Sequence, residues 1–110
     1  MKQILTLFFI LLLFNIKAQS VYIVGYDYQA DVKVYVVDYD CQADLLVYKV
    51  KYSYQAVDNK GLWYFTDYSY QAKKLIYFCN YEYQSDLKIY FVNYDYQAGW
   101  KKLNKKHLMY

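Results

Sequence analysis

Residues 81–93 read Tyr-Glu-Tyr-Gln-Ser-Asp-Leu-Lys-Ile-Tyr-Phe-Val-Asn, and the fold is decided by how this stretch is divided between turn and strand. It is one copy of a tandem unit. Glutamine recurs at Gln29, Gln42, Gln55, Gln71, Gln84 and Gln97, thirteen residues apart except for sixteen between Gln55 and Gln71. Such a period marks a repeat architecture in which each unit is one supersecondary element. The consensus is Tyr, Asp/Ser/Glu, Tyr, Gln, Ala, Asp, apolar, Lys, Ile/Val, Tyr, Phe/Val, Val, Asp/Asn, and the longer third unit carries its extra residues around Val57, Asp58, Asn59 and Lys60.

The Val, Ile, Tyr and Phe of each unit fit a pleated surface and follow a period of two, so each unit reads as one strand and one turn. Strands are expected at 19–27, 32–40, 45–53, 61–69, 74–82 and 87–95, with a weaker one at 100–108, six or seven in all. Turns fall at 28–31, 41–44, 70–73, 83–86 and 96–99. Four residues is a common hairpin length, and Asp or Gly at the loop's end tolerates a left-handed backbone. The expected fold is therefore all-β: an antiparallel meander of tandem 13-residue strand-turn repeats, curled into a roll or small barrel that hides its edges. This pairing sets Phe78 opposite Phe91, Lys74 opposite Asp95, Phe65 opposite Phe78 and Ser69 opposite Lys74, with the three phenylalanines in one row. A β-solenoid with parallel stacking is the alternative.

Ahead of the repeats, Lys2, an apolar run from Ile4 to Phe14 broken by Thr6, and a small residue at Ala18 read as a signal peptide over 1–18. The run is shorter than the ~20 residues of a membrane-spanning helix. The chain is thus expected to be secreted or held in the periplasm or cell envelope after cleavage near Ala18, with one β-repeat domain over 19–110. Residues 19–99 carry seven lysines and ten acids, whereas 100–110 carry four lysines and no acid. That makes the protein dipolar, not basic, and argues against nucleic-acid partners. Residues 99–110 are read as a basic C-terminal cap, since terminal repeats must close the stack.

Little here suggests catalysis. The 110 residues include one histidine, two cysteines and no arginine or proline. His107 lacks any partner motif and reads as a surface residue. Cys41 and Cys79 occupy Tyr and Val positions of the unit and read as small apolar substitutes, although an exported chain also permits a disulfide. Asp38, Asp40 and Asp44 lack the glycine of calcium loops and read as turn acids. No cofactor, metal or catalytic residue is expected.

The eighteen tyrosines remain. Aromatic side chains offer large amphipathic contact area at low entropic cost, so Tyr35, Tyr48, Tyr64, Tyr77, Tyr90 and Tyr94 are the candidate binding surface for protein or polysaccharide. Near-neutral β-rich repeats without proline also resemble segments that stack into fibres, which makes a self-assembling subunit with sheet-edge self-association the second reading. The leader, the Tyr-x-x-Gln-Ala-Asp units and the ending Lys105-Lys106-His107-Leu108-Met109-Tyr110 together resemble a family of short exported bacterial repeat proteins defined by a domain of unknown function. That resemblance implies no activity or site residue. The Gln- and Ala-bearing repeats are more loosely similar to curli-type amyloid subunits.

Overall fold

A computed structural model describes residues 19–110; the expected signal peptide lies outside the described residues. Each repeat contributes one short strand: β1 (Ser20–Ile23), β2 (Val32–Val36), β3 (Leu45–Lys49), β4 (Leu62–Phe65), β5 (Lys74–Phe78) and β6 (Leu87–Phe91), followed by the two-residue β7 (Gly99–Trp100). The first six strands begin within one residue of where the sequence places them and stop about four residues sooner.

All pairings among the first six strands are parallel. The expected antiparallel meander is therefore corrected. Phe78 pairs with Val34, Phe91 with Val47 and Lys74 with Val21, in place of the hairpin partners. The reason lies in the second half of each unit. A five-residue strand climbs about 17 Å, and the eight residues before the next strand, 24–31 or 37–44 for example, reach up to about 27 Å when extended. They carry the chain back to the starting level, so the next strand runs the same way.

Around the ring the order is β1, β5, β2, β6, β3, β4 and back to β1. The barrel is closed. β7 lies outside this cycle, antiparallel to the start of β3, with Leu45 against Trp100 and Leu46 against Gly99. Each step along the chain advances two places except that from β3 to β4, which are neighbours, so the first lap leaves slots that the second lap fills. The connection from β1 to β2 packs over β5, that from β2 to β3 over β6, and that from β6 to β7 over β3. β1 in turn lies between β4 and β5, the two strands joined by a later connection. Connections in most folds avoid such threading; here the two laps interlock.

At all six junctions the register is offset by two residues, as in Val21 with Lys74 and Val32 with Ile76, which gives twelve residues of shear around the ring. An even offset keeps every repeat position on one face. The third residue of each strand unit points inward, and Val21, Val34, Val47, Trp63, Ile76 and Ile89 form a middle layer with no solvent exposure. Burying each of these side chains stabilises the fold by about 1.5–3 kcal/mol. Below them Val32, Leu45 and Leu87 form a lower layer that Met109 completes.

The repeat's aspartate does something other than bend a hairpin. The Asp31 main chain and carboxylate together grip the Leu75 peptide: Asp31 N–H donates to Leu75 O at 2.7 Å and Leu75 N–H donates to Asp31 Oδ2 at 2.9 Å. Asp44 grips Lys88, and Asp86 grips Lys33, in the same way. Each acid thereby fixes the start of its strand to the neighbour from the other lap.

The expected last strand at 100–108 is also corrected. After β7 the chain forms a 3-10 segment, Leu103–Met109, whose Met109 is fully buried and accepts a hydrogen bond from Gln19 Nε2 at 2.9 Å. Lys102 and Lys105 reach the buried Asp44 at 3.4 and 3.1 Å. Among the described residues positive φ is confined to the insertion and two glycines: Asp58, Asn59, Gly61 and Gly99.

Candidate functional site

The six connections build one surface. In each, the Tyr-x-Tyr-Gln-Ala run, or its local variant, closes a single 3-10 turn: the glutamine N–H donates to the carbonyl of the first tyrosine, as Gln29 does to Tyr26 at 3.1 Å and Gln97 to Tyr94 at 3.1 Å. In two turns the glutamine side chain also accepts from that tyrosine's N–H, Tyr52 to Gln55 and Tyr94 to Gln97. Held in this way, the two tyrosines project side by side. Tyr26 and Tyr28, Tyr52 and Tyr54, Tyr68 and Tyr70, Tyr81 and Tyr83, and Tyr94 and Tyr96 all set their ring centroids 5.5–5.7 Å apart, four of the pairs stacked with planes within 22° of parallel and the Tyr68 pair tilted by 37°. The second ring of each pair is 73–82% exposed. At the sixth turn Cys41 replaces that ring and Tyr39 stands alone.

The tyrosines singled out from the sequence separate into two groups. Tyr35, Tyr48, Tyr64, Tyr77 and Tyr90 are the fourth residues of their strand units and are half-buried on the outer face of the barrel, the side on which the connections run. Tyr94 lies in a turn and belongs to the exposed girdle, stacked on Tyr96. Position within the unit could have separated them: a tyrosine inside the strand sits beneath a connection, and one before the glutamine sits on it.

Other candidate groups are dispersed. Cys41 is exposed and Cys79 buried, both as free thiols, and burial pushes the Cys79 thiol above its usual value. Asp44 is buried among lysines, whereas Asp38 and Asp40 are exposed. His107 is exposed, with Nδ1 3.0 Å from Asn104 O. Among the described residues no group of three His, Cys, Asp or Glu side chains could hold a metal ion.

The geometry of repeat, ring and threading agrees with a family match. The family model described as the 7(1) septoil knot domain matches residues 18–101. The chain belongs to that family. The matched span takes in every strand and all six tyrosine-bearing turns. No curated protein and no solved structure gave a significant match.

Proposed function

We propose that this septoil knot domain is an exported, non-catalytic binding module whose girdle of paired tyrosines contacts a polysaccharide. One observation carries the reading: tyrosine pairs recur on five of the six turns around the barrel, four of them stacked and one tilted, each with an outer ring left largely to solvent. Holding two large exposed aromatics side by side at five of the six turns contributes little to a core they do not touch. It supplies flat amphipathic faces, each with a hydroxyl, at positions preorganised by the 3-10 hydrogen bonds, so little conformational entropy is lost on binding. A repeating array suits a repeating polymer better than a single protein epitope. The basic run from Lys101 to Lys106 extends the same reading to anionic polysaccharides.

The test is retention on a panel of immobilised neutral and anionic bacterial polysaccharides, comparing the native chain with one carrying Tyr28→Ala, Tyr54→Ala, Tyr83→Ala and Tyr96→Ala. These rings are exposed, so the variant should fold. Loss of about 0.5–1.5 kcal/mol per ring in the manner of aromatic pairs predicts at least tenfold weaker retention. Unchanged retention, or capture by protein alone, would overturn the reading; seeded fibre growth would favour the self-assembling subunit instead.

A further inference from the structure

The two ends of the barrel are treated differently. Met109 closes the N-terminal end. At the other end the fifth residues of the strand units, Ile23, Val36, Lys49, Phe65, Phe78 and Phe91, line a cup of about 730 Å³, with Val50, Lys51 and Tyr64 at its rim. Ile23 and Val36 are left 49% and 40% exposed although they occupy an inward-facing position of the repeat.

Five of the six ring positions are apolar and the sixth is a lysine. The Lys49 ammonium stands 4.5 Å from the centroid of the Phe91 ring and 5.2 Å from that of Phe65, held by cation–π attraction. No carboxylate lines the cup, and the ion pairs found among the described residues use Lys88, Lys102 and Lys105. Lys49 is itself exposed, so its ammonium is open to a ligand at the mouth of the cup. The cup therefore has the composition of a small-molecule site: apolar walls within the usual 300–1,000 Å³ range and a few polar groups that fix orientation.

We infer that the cup binds a single-chain anionic amphiphile, its carboxylate on Lys49 and Lys51 and its alkyl chain against Phe65, Phe78 and Phe91. Charge complementarity selects the head group, because the lining offers two cations and no anion. The apolar remainder selects the tail. This site is separate from the tyrosine girdle, so either can fail without the other.

Dodecanoate, kept below its micelle concentration, is the probe, with dodecanol and butyrate as comparisons, titrated by calorimetry and by NMR of the Phe and Ile side chains into the protein as the cell produces it. Saturable one-to-one binding of dodecanoate is expected, at least tenfold tighter than either comparison and weaker at high salt. Lys49→Met keeps the length of an exposed side chain and removes its charge, so it should fold as the native chain does while losing tenfold or more for dodecanoate and none for dodecanol. Phe78→Ala should weaken both ligands. Equal affinity for acid and alcohol, an unchanged Lys49→Met variant, or association only with anionic phosphatidylglycerol vesicles would each overturn the inference.

Discussion

Asp44→Asn is the substitution whose effect follows most directly from the fold. Asp44 has no solvent exposure. Its Oδ2 accepts from Lys88 N–H at 2.9 Å and from the Lys105 ammonium at 3.1 Å, Lys102 lies 3.4 Å from Oδ1, and its carbonyl accepts from the N–H groups of Lys101 and Lys102. One side chain thus joins β3 to β6 and holds the C-terminal segment in place. Asparagine keeps the shape and can still accept from Lys88, so what is lost is the charge. A charge-assisted hydrogen bond contributes about 1.5–3 kcal/mol, and the half-exposed Lys102 adds at most about 1 kcal/mol. A loss of about 2 kcal/mol is expected at pH 7, which lowers the urea midpoint by about 1–2 M at the slope usual for a domain of this size. The midpoint should be approached from both the folded and unfolded sides, since an interlocked chain equilibrates slowly.

The pH dependence fixes the cause. Burial by itself would raise the Asp44 carboxyl, but the Lys88 N–H and then the Lys105 and Lys102 ammonium groups outweigh it and hold the group below the ordinary carboxylate value. A depressed folded value means that the carboxylate's contribution is fully present above the unfolded value of about 3.9 and is lost as pH falls through the folded value. The gap between native and Asp44→Asn chains should therefore be constant from pH 7 to about 5 and close in stronger acid. A gap below 0.5 kcal/mol at pH 7, taken as the limit of a neutral surface change, or one that persists unchanged to about pH 2, below the usual carboxylate range, would refute this account of the cap.

Three further outcomes follow. Gly61 has φ +89°, and a Cβ there would strike the Leu46 carbonyl and crowd Gly99 N–H, so Gly61→Ala should destabilise by more than the ~1 kcal/mol of an ordinary glycine effect, read as a lower thermal midpoint. Met109→Ala empties a fully buried site and should cost about 2–5 kcal/mol, whereas Leu103→Ala, at an exposed position of the same segment, should stay within about 0.5 kcal/mol. In thiol titration with a disulfide reagent Cys41 should react at once and Cys79 only with unfolding; two equally fast thiols, or none, would contradict the free and unequal cysteines.

Much of the fold is legible in the repeat. The thirteen-residue unit, the first residue of most strands and the inward alternation all follow from Val, Ile, Phe and Tyr spacing. Direction does not, because four residues suit a hairpin and eight suit a return, and the unit contains both counts. A clue was present in strands such as Leu45–Lys49, which sets Leu46 and Tyr48 on the face opposite Leu45 and Val47. An antiparallel sheet with one wet face shows polar alternation, whereas a parallel sheet covered on both sides does not. Here the connections cover the outside, so the strand tyrosines are half-buried and the turn tyrosines are exposed. The threading of one lap between the strands of the other was beyond periodicity, since it depends on contacts between units three and four apart. Lys49 was visible as the single charged residue among Ile23, Val36, Phe65, Phe78 and Phe91, and it gained meaning only when a closed barrel brought those six to one mouth.

The parallel two-lap barrel underlies both proposed surfaces, and cross-strand NOEs test it most directly. The fold predicts amide-to-α contacts of parallel ladders around Val21 and Lys74, Val34 and Leu87, and Leu45 and Ile89, with no close α-to-α contacts between strands β1 to β6. Strong α-to-α NOEs linking Phe78 to Phe91 and Lys74 to Asp95 would instead establish hairpins, and with them a sheet that has neither the tyrosine girdle nor the lysine-bearing cup.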